Sequence, residues 1–210
     1  MTLLYPIEIL AMAVLAASGV MATRLRSTNL IDVILIGAVT ATGGGTLRDI
    51  ILDKTVFWIA DVNYLIAPVL ASAAVFWGYK ILPALKSAKR ALDYLDALGV
   101  ALFASSATAS TLAAGHAAPI AMVMGVFTGI AGGMMRDLLL NREPIVFGPT
   151  LYISPLIVGT GVYCLLMDLR LLPDTLALVL SFLIIAFWRL GAIAKDWQLP
   201  RILQYGSPRH

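Results

Sequence analysis

Charge is scarce in this sequence: only 13% of its 210 residues are Asp, Glu, Lys or Arg. A soluble domain carries about 25%, so the chain lacks the charged surface that keeps a folded protein in water. Cysteine and histidine are scarcer still. One cysteine, Cys164, excludes an internal disulfide framework, and with His116 and His210 as the only histidines no Cys/His zinc cluster can form. Metal-dependent hydrolysis and thiol redox chemistry therefore lack their residues. No nucleophile–base pair is present either, so neither an enzyme nor a bound cofactor or structural metal is expected. The net charge of +3 would suit a nucleic-acid partner, but the cations are scattered between apolar stretches and not interleaved with aromatics, which argues against one.

What the chain has in abundance is apolar sequence, 60% of all residues, with a mean hydropathy of +0.90. A helix rising 1.5 Å per residue needs about 20 such residues to cross a hydrocarbon layer of roughly 30 Å. Seven stretches qualify: 6–23, 30–52, 64–82, 94–114, 118–140, 151–168 and 174–193. A lipid-facing β-barrel would show short alternating segments instead, so the expected class is an all-α membrane protein of seven transmembrane helices. The first run lacks the basic leader of a signal peptide and is read as a retained helix. Seven spans leave Arg48, Lys54 and Arg170 on one face and the other twelve of the 15 cations on the opposite one. Positive charge concentrates on the cytoplasmic side, which puts the N-terminus outside and the C-terminus inside. Trp58, Trp77, Trp188 and Trp197 suit the interfacial aromatic belt.

Displaced by 88 residues, the sequence aligns on itself without a gap. The alignment pairs Glu8 with Asp96, Ser18 with Ser106, Gly37 with Gly125, Thr40 with Thr128 and Tyr64 with Tyr152. It also pairs Gly44-Gly45 with Gly132-Gly133 and Arg48-Asp49 with Arg136-Asp137. Apolar composition alone would not bring glycines, threonines and an Arg-Asp pair into one frame. Each unit, 5–82 and 93–170, holds three spans, so the second must enter the membrane from the opposite side, as inverted repeats do in many transport proteins. The seventh helix, 174–193, stands outside the repeat; it completes one transmembrane domain, 1–193, followed by a short basic tail, 194–210.

The second span of each unit carries the chemistry. One contains Gly43-Gly44-Gly45-Thr46-Leu47-Arg48-Asp49, the other Ala131-Gly132-Gly133-Met134-Met135-Arg136-Asp137. Glycine costs about 1 kcal/mol relative to alanine within a helix, so such runs are expected to loosen or break it. Broken membrane helices free carbonyls that must face protein or a water-filled path. The other reading is packing, because Gly37, Ala41 and Gly45, like Gly125, Gly129 and Gly133, form small-residue stripes that let helices approach closely. Beside them Thr40, Gly44 and Arg48, mirrored by Thr128, Gly132 and Arg136, share one helical face. Arg48 and Arg136 at membrane depth either gate a path, paired with a carboxylate or lipid phosphate, or snorkel to the interface as anchors. Asp49 and Asp137 are expected to find partners on other helices, because successive helical residues point apart. Glu8 and Asp96 fit either a helix N-terminus or an ion-attracting mouth. Lys80, Lys86, Lys89 and Arg90 mark the cytoplasmic face and are weak candidates for holding anionic lipid head groups.

The duplicated three-helix unit with its two glycine-arginine-aspartate motifs, followed by a seventh helix, resembles the prokaryotic branch of the trimeric intracellular cation channel (TRIC) family over about residues 5–193. The resemblance implies a homotrimer in a prokaryotic inner membrane, with a pore in each protomer that passes monovalent cations, chiefly potassium, bound only in transit. It also implies kinks in the second and fifth helices, with the one beginning at Ala131 the weaker. Pore-lining or kink positions are then Ser18, Thr40, Gly43, Gly44, Gly45, Ser106, Thr128, Gly132 and Gly133. Gate or constriction positions are Arg48, Asp49, Arg136 and Asp137. Inverted repeats suit a carrier equally well, so a secondary transporter of a small solute such as glycine is the alternative.

Overall fold

The computed structural model describes residues 4–23, 29–78, 88–148 and 150–198. Lys80, Lys86 and the chain beyond Gln198 lie outside these, so the lipid-contact expectation for the two lysines has no structural counterpart.

Among the described residues the chain is helical throughout, and helix ends fall where local chemistry puts them. Helix α1 spans Leu4–Thr23 and α2 spans Leu30–Ile51. The Asn29 side chain caps α2 by accepting from the Asp32 backbone N–H at 2.9 Å. Four-residue α3, Phe57–Ala60, precedes α4, Asn63–Gly78. Then come α5, Ala88–Ala113, and α6, Ala118–Leu139, which carries a proline in its first turn, where the missing N–H is not needed. A 3₁₀ turn at Ile145–Phe147 leads to α7, Ile153–Asp168, and α8, Asp174–Lys195, closes the fold. Both α2 and α6 stop in the same way. Asp53 and Asn141 adopt left-handed backbone at φ of 51° and 49°, a conformation that short polar side chains tolerate. The N–H groups of Lys54 and Arg142 then bond back to the Asp49 and Asp137 carbonyls at 2.8 Å each.

Among the described residues seven of the eight helices overlap the seven apolar stretches of the sequence, α5 beginning before its expected start; the short α3 was not foreseen. Five are long and apolar enough to cross a membrane on length and composition: α1, α2, α5, α6 and α8. The two third-span helices, α4 and α7, are 16 residues each, shorter than expected.

Helix α5, with 78% of its apolar window buried, is the axis of the bundle, with α1, α6, α7 and α8 packed around it. Met12 and Leu15 of α1, Val100, Phe103 and Ala104 of α5, Leu156 of α7 and Ile185 of α8 form the main core. Contacts among α1, α2 and α4 recur among α5, α6 and α7, and α1 meets α5 while α2 meets α6 across the middle.

Both glycine runs lie inside unbroken α-helix, so the broken-helix expectation does not hold. The glycines serve contact instead. A Cβ on Gly44 would run into the Thr128 carbonyl, and one on Gly132 into the Thr40 carbonyl, so bare backbone of α2 lies on bare backbone of α6. Residue numbers rise on one helix as they fall on the other, so the pair crosses antiparallel. The backbone carbonyls stay in the helical ladder, and the loss of side chains is compensated by close packing.

Candidate functional site

Because α2 and α6 are antiparallel and each arginine lies four residues beyond its glycine crossing, Arg48 and Arg136 sit at opposite ends of the helix pair. Each builds a cluster of buried charge.

At one end Arg136 is wholly buried and spends its donors on three groups. Its Nε and Nη2 donate to Asp137 Oδ1 and Oδ2 at 2.9 and 3.0 Å, a two-pronged grip, while Nη1 donates to Asp96 Oδ1 at 2.9 Å and to Ser18 Oγ at 3.2 Å. Asp96 Oδ2 accepts the Tyr152 hydroxyl at 2.9 Å and Nη2 of Arg189 at 3.1 Å. Arg189, from α8, lies over the Tyr152 ring with its guanidinium carbon 3.5 Å from the ring centre. Its Nε and Nη1 are buried and meet no acceptor among the described residues. Each unmet donor costs about 1–3 kcal/mol. Two arginines face two aspartates, so this cluster is neutral.

At the other end Arg48 donates from Nε to Asp49 Oδ1 at 2.8 Å, with Nη2 2.7 Å from the same oxygen. Its Nη1 reaches Ser110 Oγ, not the repeat-equivalent Ser106, at 3.4 Å. Glu8 occupies the position equivalent to Asp96 and accepts the Tyr64 hydroxyl at 2.6 Å, as Asp96 accepts Tyr152. No arginine reaches it among the described ion pairs. By formal charge, one arginine stands against two carboxylates at this end.

The expectation that neighbouring Arg and Asp would not meet is therefore corrected at both motifs. The rule holds for short side chains on a helix surface, but near a helix end the long arginine folds round to reach the next residue. The other aspartate oxygen then ties down the following loop: Asp49 Oδ2 accepts from the Phe57 N–H at 2.9 Å and Asp137 Oδ2 from the Ile145 N–H at 3.1 Å. Each Arg-Asp pair thus clamps a helix end to the loop that follows it.

Between the clusters the helix interfaces carry buried hydroxyls. Ser18 Oγ donates to the Leu15 carbonyl at 2.7 Å, Thr40 Oγ1 to Ile36 at 2.6 Å and Ser106 Oγ to Phe103 at 3.2 Å. Thr128 Oγ1 is buried with no partner among the described residues. Gly43 faces the Met135 sulfur, Gly45 faces Phe57, and Gly133 stands beside Asp96 and Arg136. Lys89 and Arg90, exposed at the start of α5, border a cavity of about 390 Å³ with Asp93 and Tyr94. Glu8, Asp96, Tyr64 and Tyr152 all stood in the 88-residue alignment, a signal that could have assigned them to the sites. Arg189 carried no such signal, because α8 has no repeat partner, and it was read only as a cation of the cytoplasmic face.

The family model described as glycine transporter matches the chain twice, over residues 5–80 and 93–168, again 88 residues apart. A UPF0126 membrane protein of Vibrio cholerae is 36% identical over 203 residues, 95% of this chain and 82% of that protein. The UPF0126 inner membrane protein YadS of Escherichia coli strain K12 is 31% identical over 199 residues, covering 94% of this chain and 95% of its own. Among solved structures, the TRIC trimeric intracellular cation channel orthologue from Rhodobacter sphaeroides superposes with a TM-score of 0.88 at 29% identity, over 94% of this chain and all of that one.

Proposed function

This chain belongs to the glycine transporter family of membrane proteins, and from that premise we propose that it is a passive channel for monovalent cations, chiefly potassium. In this reading it assembles as a homotrimer in a bacterial inner membrane, each protomer holding its own path between α1, α2, α5 and α6. Its seven spans form two inverted three-helix units and a last helix, with the N-terminus outside and the Arg136 cluster towards the cytoplasm. The recurrence of helix contacts between the halves and the antiparallel crossing of α2 on α6 support that topology.

The observation that carries the function is the row of buried hydroxyls and bare backbone on the α2–α6 pair, bounded at each end by an arginine–aspartate cluster. Lipid-facing packing requires no polar groups at such depth, and intramembrane charge is costly enough that it marks a path by default. In this arrangement the path is closed, because Gly44 and Gly132 lie against the opposite helix. When the helices part, Ser18, Thr40, Ser106 and Thr128 supply oxygens that replace part of a potassium ion's hydration shell. Arg48 and Arg136, with Asp49 and Asp137, form the two constrictions. An unpaired guanidinium 4 Å from a cation repels it by about 4 kcal/mol at an effective dielectric near 20, so the aspartates are what make passage possible.

The second reading, a carrier of a small solute such as glycine, is favoured by the description of the matching family. Purified protein in a planar bilayer under a potassium chloride gradient separates the two. Unitary currents reversing near the potassium equilibrium potential are expected. Saturable glycine uptake into proteoliposomes without any unitary current would sink the channel reading.

A further inference from the structure

The two charge clusters differ in formal charge by one group: Arg189, contributed by a helix outside the repeat. At the Glu8 end nothing takes its place, and the carboxylate there holds only a tyrosine hydroxyl. At the Asp96 end Arg189 adds a second guanidinium to a carboxylate whose other partner, Arg136, is shared with Asp137. The two arginines are held differently. Arg136 is bonded through Nε, Nη1 and Nη2 to three residues, whereas Arg189 is bonded through Nη2 alone and leaves Nε and Nη1 buried without an acceptor among the described residues. On moving, Arg189 leaves one hydrogen bond and the face of the Tyr152 ring, against the four hydrogen bonds that hold Arg136.

It also has somewhere to go. Asp93 lies three residues before Asp96 on α5, about 4.5 Å along the axis and on the same side of the helix. It lines the cavity of about 390 Å³ with Ile193, which stands one turn beyond Arg189 on α8. No ion pair engages Asp93 among the described residues; it lies within electrostatic reach of Lys89, one turn before it on α5, and, more weakly, of Arg189 and Arg136, with Asp96 the nearby like charge.

We propose that Arg189 is a movable counter-charge that holds the Asp96 end of the path shut by pairing with Asp96, and opens it by swinging one helical turn to Asp93. In the shut position Asp96 is fully neutralised and a cation meets two guanidinium groups. In the open position Asp96 has charge to spare, as Glu8 has at the other end, and becomes a stepping point for a cation. Arg189 is a positioning residue, and α8 becomes the helix through which the path is regulated. This rests on the channel reading, so its test needs a readout that does not depend on current.

The test uses full-length protein with Cys164→Ala and Thr128→Cys, a reporter two helical turns deeper than Arg136, probed from the Asp96 side with a small cationic thiol reagent beside bilayer recordings. In this background Arg189→Gln should raise the labelling rate at least tenfold and raise open probability, whereas Arg189→Lys should resemble the parent. Asp93→Asn should lower both readouts, and the Arg189→Gln, Asp93→Asn double variant should behave as Arg189→Gln alone. Parent-like labelling and currents in both single variants overturn the proposal. Faster labelling of Arg189→Gln with no current from any variant leaves the switch standing and removes the channel reading. If Arg189→Gln loses its monodisperse elution peak, Asp93→Asn decides: slower labelling supports the switch, and a parent-like rate overturns it.

Discussion

Thr40 and Thr128 show how far equivalent residues can differ. Thr40 returns its hydroxyl to the Ile36 carbonyl, while Thr128 buries the same group with no partner among the described residues. A hydroxyl that adds nothing to the fold is the kind a conducting path can use. Thr128→Val should therefore melt at or above the parent, because an unsatisfied buried hydroxyl gives way to an apolar group of the same shape, while lowering single-channel conductance; a large loss of stability would show that the hydroxyl is structural. The arginines differ in the same manner. Arg136 joins Asp137, Asp96 and Ser18 in a site closed to solvent, whereas Arg48 joins Asp49 and Ser110. Removing one partner from a buried charge pair costs about 3–5 kcal/mol, and Arg136→Ala strands Asp137 and leaves Asp96 with Arg189 as its one arginine. It should melt at a clearly lower temperature than Arg48→Ala in detergent, and equal melting points would mean that the Asp96 cluster is better solvated than its burial implies.

At the scale of the element, α2 and α6 form a pair whose contact is backbone on backbone. Gly44→Ala and Gly132→Ala push a methyl group into a carbonyl that cannot rotate away, and overpacking of that kind costs about 1–3 kcal/mol. Gly161 is the control: a Cβ there meets only the Met122 sulfur at 3.5 Å, an ordinary contact. Gly161→Ala should melt at or slightly above the parent, because alanine favours a helix, and both crossing variants should melt below it. If all three behave alike, the close approach of α2 to α6 is not what holds the bundle together. The pairing of these helices was only half legible. Glycines at four-residue spacing announced a close contact, but the same glycines also suggested a broken helix. The choice depended on whether another backbone lay opposite, which no local pattern records.

For the whole molecule the strongest consequence is sidedness. In a Cys164→Ala background, Arg90→Cys should react with a membrane-impermeant reagent only from the cytoplasm and Val62→Cys only from outside. Reaction of both from one face would remove the inverted arrangement of the two units. Purified protein should also elute with a protein mass three times the 22.4 kDa chain once bound detergent is subtracted, and a monomeric mass would end the trimeric reading.

The all-helical class, the approximate placement of the long helices and the doubling at 88 residues were determined by the sequence itself, because they follow from properties read along the chain. An apolar run has a length that can be compared with a bilayer, and an ungapped alignment needs no knowledge of space. Partners across helices were decided only by the tertiary structure. Which carboxylate an arginine meets depends on how two helices cross and how far a long, flexible side chain can fold back. Arg48 and Arg136 therefore turned to the adjacent aspartates that helical geometry had assigned elsewhere. For the same reason Arg189 read as a face-marking cation until α8 packed against α5 and its guanidinium came to rest between Asp96 and the Tyr152 ring.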